Sequence, residues 1–255
     1  MKRIQKIGLV MGCVVTFPIA GWAQVPGLAI ADGCRGLPDS AALKTALTAA
    51  VNDETSGLDF QMWATIVDRD GIVCAVAFSG ADRGAQWPGS RVISAQKANT
   101  ANAFSLNGLA LSTANLYSAV QPGGSLYGLQ ASNPVDTGVA YQGPSSKYGT
   151  ANDPMAGQKI GGVNVFGGGL GLYSAFGKVV GAVGVSGDTS CADHMIAWRV
   201  RNNLGFDHLA GKGVSGDAAR PDNIIYDITA GASASGFGHP TCINTGDQNA
   251  LPAVQ

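Results

Sequence analysis

The chain has 255 residues, 45% hydrophobic and only 13% charged, with 37 Gly and a formal net charge of −1. That apolar fraction is that of a folded chain with a sizeable core, in one domain or two small ones. The near-zero charge, without a basic stripe, excludes a binder of nucleic-acid backbones. Beyond the N-terminus no apolar run is long enough for a transmembrane bundle.

Residues 1–23 predict a cleavable signal peptide. Lys2, Arg3 and Lys6 form a basic start, Ile7–Ala20 an uncharged, mostly apolar run, and Gly21-Trp22-Ala23 a small-x-small exit. Val10-Met11-Gly12-Cys13 matches a lipoprotein box only loosely, because the apolar run continues past Cys13. A cut after Ala23 leaves 13 Lys+Arg against 17 Asp+Glu, an acidic chain expected to be periplasmic or secreted, without a membrane segment. It keeps Cys34, Cys74, Cys191 and Cys242, and an even number in an exported chain predicts two disulfides. Of the three pairings open, Cys34–Cys74 with Cys191–Cys242 is favoured, since each ties a loop-rich extension to a regular element. No C-x-x-C is present, which excludes zinc ribbons, thioredoxin-type sites and c-type haem attachment.

Residues 24–38 read as an irregular lead-in. Pro38-Asp39-Ser40 then offers helix-cap residues, and Leu43, Ala46, Leu47, Ala50 and Val51 recur at helical spacing. Phe60–Val67 and Ile72–Phe78 are β-rich runs joined by Asp68-Arg69-Asp70-Gly71, whose Asp-Gly pair predicts a hairpin. The carboxylates of Asp68 and Asp70 are expected to satisfy turn amides there, not to do acid–base work. Ser90–Phe104 is Ala-rich and helical, and a short helix is expected over Ser112–Val120. Residues 121–161, rich in Gly, Pro, Ser and Asn, form a long loop of the kind that carries function or covers a partner. Two further strands are predicted at Val163–Ala175, broken by Gly167-Gly168-Gly169, and at Val179–Val185, followed by a helix over Ser190–Leu204. The tail, 206–255, reads as a wrapped extension of a domain at 39–205, with one strand candidate at Asn223–Ile228. Paired hairpins and segregated helices make this an α+β fold, a central antiparallel sheet with helices packed on its faces.

Familiar catalytic signatures fail. Gly169-Leu170-Gly171 continues into strand with no following helix, so no nucleotide cofactor is expected. Gly177-Lys178-Val179 lacks the Ser/Thr of a phosphate loop, no G-x-S-x-G occurs, and the three His do not have zincin spacing. The pentapeptide GVSGD at 184–188 and 213–217 reads as shared turn chemistry.

ATIVDRDG at 64–71, AQKANTANAF at 95–104, GGV at 161–163 and KVVGAVGVSG at 178–187 occur in that order. Together they resemble the GlcG/HbpS-like haem-binding family, which includes the C-terminal domain of PduO-type proteins. The resemblance spans roughly residues 40–205 and is most specific at 181–187. It implies a profilin-like sandwich, homo-oligomers, and binding of haem or a related tetrapyrrole. Asn164 stands where members often have proline, and the loop and tail exceed a minimal member. In the haem-sensing branch a threonine of the Lys-Ala-x-Thr-Ala helix contributes to haem binding, which carries over to Thr100. The implied binding surface runs from Lys97 to Phe104 together with the glycine-rich hairpin. Threonine is a poor iron ligand, so the binding implied is labile.

The last helix offers a second candidate. Ala192, Met195, Ile196, Val200 and Leu204 form a stripe that should face the sheet, leaving Cys191, His194, Trp198 and Arg201 on the opposite face, under some cover. A Cys191–Cys242 bond would draw Gly236–Cys242 across it and bring His194 near His239. Two arrangements are then open. In one, Trp198 packs on Phe237 and both His bond locally; in the other, His194 or His239 is an axial haem or metal ligand and Arg201 pairs a propionate. His208 is expected to face solvent, Met62 and Met195 to be core, and Tyr117, Tyr127, Tyr141 and Tyr148 could each stack on a porphyrin. An exported haem carrier, scavenger or sensor is the expectation. The alternatives are a slow haem-degrading or small-molecule oxidoreductase enzyme, which no nucleophile–base constellation supports, and a protein-interaction module.

Overall fold

The computed structural model describes residues 32–255. The expected signal peptide and most of the lead-in lie outside them. Helix α1 (Ser40–Asn52) starts where Asp39 Oδ1 accepts the amides of Ala41 and Ala42 at 3.0 and 2.9 Å. Its buried side chains are Leu43, Ala46, Leu47, Ala50 and Val51, the stripe read from the sequence. The hairpin follows as β1 (Trp63–Asp68) and β2 (Val73–Phe78), then α2 (Ser90–Phe104). At the hairpin turn Gly71 takes a φ of +76°, and Asp68 Oδ1 accepts from the amides of Asp70 and Ile72, both at 2.9 Å. Thus Asp68 does close the turn, as expected; Asp70 does not share the work.

The region 105–168 departs from prediction. Ser112–Val120 forms two short 3-10 turns in place of one helix, the first fixed by Asn115 Oδ1 accepting from the amide and hydroxyl of Ser112. Within the long loop lie two single turns, α3 (Leu129–Ser132) and α4 (Thr137–Ala140). The strand expected from Val163 begins only at β3 (Gly169–Tyr173), because Gly161, Gly162 and Gly168 adopt φ of +64°, +80° and +120°. Strand β4 (Val179–Ser186) and helix α5 (Ser190–Asn203), capped by Thr189, complete the core. In the tail, Asn223–Asp227 is irregular, and only β5 (Ile228–Thr229) pairs, with β6 (Ala232–Ser233), across Ala230 and Gly231 at φ of +51° and +83°.

The four long strands form one antiparallel sheet in the order β2-β1-β4-β3. One face carries Ala64, Ile66, Ala75, Ala77, Leu170, Leu172, Val183 and Val185, packed against α1 and α5 together with Met62 and Met195. The other carries Trp63, Val67, Val76, Phe78 and Ala182 beneath α2. Here α2 comes unusually near the sheet: a Cβ at Gly184 would fall on the Ser94 carbonyl and the Ala98 amide, and one at Gly169 on the Lys97 carbonyl. Gly169 and Gly184 are therefore the floor on which an Ala-rich helix lies.

Two disulfides, Cys34–Cys74 and Cys191–Cys242, match the favoured pairing. Among the described residues no helix is long and apolar enough to cross a membrane.

Candidate functional site

Lys97 leaves α2 toward the end of β4. Its Nζ donates to Asp193 Oδ2 at 2.6 Å and to the Val185 carbonyl at 3.2 Å. Asp193, in the first turn of α5, uses Oδ1 to accept the amides of Gly187 and Asp188, both at 2.9 Å. Burial raises the Asp193 carboxyl to about 6, against the pull of the Lys97 ammonium. Both residues are almost wholly buried, so this hub ties three elements together beneath the surface. Thr100 is equally enclosed: its hydroxyl donates to the Gln96 carbonyl at 2.7 Å and accepts from the Asn164 amide at 3.0 Å. Phe104 sits half-buried in a separate apolar cluster with Leu111, Leu116, Val120 and Val165.

The outer face of α5 is covered, and the tail covers it. Cys191, His194, Trp198 and Arg201 are each no more than 1% exposed. Trp198 Nε1 donates to the Pro252 carbonyl at 3.0 Å, and its ring packs with Leu251 in the main core, not with Phe237, which joins the Phe104 cluster. The Trp198–Phe237 contact of the first arrangement does not form, because the last residues of the tail, not its middle, reach Trp198. Arg201 is likewise not presented to a ligand. Its NH groups donate to both oxygens of Asp222, at 2.6 and 2.9 Å, and to the Gly171 carbonyl at 3.3 Å. His208 is half-buried, where solvent exposure was expected.

The two histidines do converge on the segment before β3. A Cβ on Gly167 would stand 3.1 Å from that of His194, while the Gly167 amide donates to His239 Nε2 at 3.4 Å. His194 Nε2 accepts from the Ile224 amide at 3.2 Å, and its Nδ1 is buried without a partner. Burial lowers His194 to about 3, with Arg201 and His239 adding to the effect and Asp222 opposing it. Burial also lowers His239 to about 4, although its Nδ1 pairs with the Pro240 carbonyl at 2.7 Å. Both rings are therefore neutral at pH 7. The Tyr117 ring lies 5.1 Å from that of His239. Tyr117 also walls a cleft of about 650 Å³ bounded by Gln121, Pro122, Ile228, Ser233 and Pro240.

The sequence profile of the family described as haem degrading protein HbpS-like matches residues 39–201. The chain belongs to this family. Similar solved structures include protein ORFY of Klebsiella pneumoniae, 28% identical, covering 65% of this chain and 88% of that one, with a TM-score of 0.43. A PduOC:haem complex is 23% identical over 64% and 89%, TM-score 0.44. A double mutant of HbpS from Streptomyces reticuli is 14% identical over 78% and 97%, TM-score 0.36. No curated protein matches the chain in sequence.

The group that the HbpS-like description implies, haem, fits some candidate residues and not others. Lys97, Thr100 and Arg201 are enclosed, and their polar groups are engaged by Asp193, Asn164 and Asp222. The α2 surface implied by the resemblance is thereby covered by this chain's own residues. Tyr117 fits better; His239 is as enclosed as those three, at 1% exposed, but its Nε2 is held only by the 3.4 Å bond from the Gly167 amide. Tyr117 offers a ring at the wall of a cleft of suitable size, and His239 stands behind it with Nδ1 held by a carbonyl, the arrangement that fixes Nε2 as the basic nitrogen of a ligating imidazole. The partners Asp193 and Asp222 escaped the sequence reading, since no local pattern marks an aspartate that meets a cation tens of residues away.

Proposed function

We propose that the protein binds haem or a related tetrapyrrole as an exported carrier, scavenger or sensor, in homo-oligomers, with the cleft beside Tyr117 as the binding site. The carrying observation is His239: a neutral imidazole, oriented by the Pro240 carbonyl and set behind an aromatic wall, in a chain of the HbpS-like family. Tyr117 would stack on the macrocycle, and His239 would hold iron through Nε2 in exchange for its long bond from the Gly167 amide. His194 would support this from the other side of Gly167. When bound, haem supplies an iron centre able to take an axial ligand; the chain supplies a shaped wall and a rim without Lys or Arg. Propionates would meet only neutral donors there, which keeps the binding labile. Two disulfides support export, since such bonds persist outside the cytosol.

The test is a hemin titration of the oxidised protein, followed at the Soret band. A saturable shift is expected. His239→Ala and Tyr117→Ala should each weaken it by roughly tenfold or more, while Thr100→Ala leaves affinity unchanged. A spectrum that stays that of free hemin would sink the proposal. The family's haem-degrading description favours one second reading: a Soret band that forms and then bleaches with release of iron would make the protein an enzyme.

A further inference from the structure

We infer that Cys34, Cys74 and Asp68 form a divalent-metal site that opens when the Cys34–Cys74 disulfide is reduced. A ligand atom from each of the three lies within 4.8 Å of the others. Cys34 ends a single 3-10 turn at the start of the described chain, Cys74 lies in β2, and Asp68 ends β1. The two oxygens of Asp68 are not alike. Oδ1 closes the hairpin turn, whereas Oδ2 is buried without a hydrogen-bond partner among the described residues. A buried unpaired carboxylate oxygen is costly, and the turn does not need it. The lead-in is shaped around it as well, for a Cβ on Gly33 would fall on Oδ2.

The site also has an entry. A cleft of about 390 Å³, lined by Gly33, Arg35, Leu37, Arg69, Asp70 and Phe206, opens onto Asp68. Cys34 and Cys74 are both half-buried, whereas the other bridge joins half-buried Cys242 to wholly enclosed Cys191, so a reductant can approach Cys34–Cys74 from either residue and the other bridge from one alone. Two thiolates and a carboxylate form the donor set of a tetrahedral zinc-type site with one position left for water.

The chemistry balances with a dithiol reductant. It gives two electrons and two protons to the sulfur–sulfur bond and becomes a disulfide itself. The two protein thiols then release their protons to solvent as the metal–sulfur bonds form. Exchange with a small-molecule disulfide, which takes the two electrons and two protons from solvent and leaves as two thiols, reforms the sulfur–sulfur bond and expels the metal, so the same residues serve as a covalent strap in one state and a metal site in the other.

Co²⁺ added to the protein after dithiol reduction and removal of the reductant tests this. One Co²⁺ per chain is expected, with sulfur-to-cobalt charge-transfer absorption that the oxidised protein lacks. Asp68→Asn, which keeps the acceptor at Oδ1, should weaken binding by roughly tenfold or more. In parallel, Zn²⁺ should protect Cys34 and Cys74 from alkylation and leave the reactivity of Cys191 and Cys242 unchanged. No absorption band, equal affinity for Asp68→Asn, equal protection of all four cysteines, or a chain that unfolds on reduction before Co²⁺ binds would each overturn the inference. Because no haem is used, the outcome is separate from that of the hemin titration.

Discussion

Two irregular segments lie on two helices, and they are fastened by the same device to different degrees. Over α2, the long loop sends in Asp153, which pairs with the guanidinium of Arg91 while accepting the amides of Gly149 and Met155 at 2.7 and 2.9 Å. Over α5, the tail sends in Asp222 to Arg201. In each case the arginine belongs to the helix and the aspartate to the cover, and both partners are buried. The loop adds apolar weight through Ala140, Met155 and Ile160 and stacks Tyr148 at 3.6 Å on Arg91. The tail relies more on polar links: the His194–Ile224 and Trp198–Pro252 hydrogen bonds and the Cys191–Cys242 bridge. Arg91 has every nitrogen bonded, whereas Arg201 Nε has no hydrogen-bond partner and its guanidinium rests 4.5 Å from the Trp198 ring. A charged or aromatic side chain on a helix face is thus weak evidence for a ligand site when the same chain carries a cover for it.

The sharpest way to break this comparison is to remove one aspartate from each cover. Asp153→Ala and Asp222→Ala should each destabilise by about 3–5 kcal/mol in urea unfolding, because each leaves a buried arginine uncompensated. Asp153→Ala should cost more, since two loop amides lose their acceptor as well. A loss under about 1 kcal/mol for either would show that water reaches the arginine and that the cover is loose.

The bridge separates the two segments. Cys242→Ala should lower stability by about 2–4 kcal/mol and speed amide exchange across residues 222–242, with the loop over α2 unaffected. Exchange that rises equally in both covers would mean that they open as one unit. Beneath α2, Gly184→Ala drives a methyl into the backbone of Ser94 and Ala98; about 1–3 kcal/mol of destabilisation is expected, and an unchanged melting temperature would contradict the close approach.

How much of this was legible in the sequence follows the range of the interactions. The α1 stripe, the 71-centred turn and the extent of α2 depend on spacings of one to four residues, and the sequence reading of them agrees with the structure. The start of β3 did not, because Gly168 at φ +120° ends the irregular approach to it and no composition rule marks which of three consecutive glycines does so. The Arg–Asp fastenings span 62 and 21 residues and have no sequence signature. For the candidate site, the approach of His194 to His239 followed from one assumed disulfide. That Lys97, Thr100 and Arg201 would be enclosed did not, since their partners lie in segments without a period.

The smallest effect, and the one most specific to the tail, is the pH dependence of stability. His194 and His239 titrate near about 3 and about 4 in the folded protein and near about 6.5 when unfolded. A lowered pKa means stability present above 6.5 and lost as pH falls toward the folded values. Asp193 runs the other way. Raised to about 6 from 3.8, it favours the folded state on acidification across that interval. Near pH 5 the unfolded chain therefore takes up more protons at the two histidines than the folded chain holds at Asp193, and stability should fall on acidification. His239→Gln removes one of the two and should flatten the profile between pH 4 and 6; His194→Gln should do the same. Denaturant midpoints at half-unit pH intervals measure this directly. A slope left unchanged by both substitutions would mean that the histidines under the tail are already open to water, and the tail would then be a lid, not part of the core.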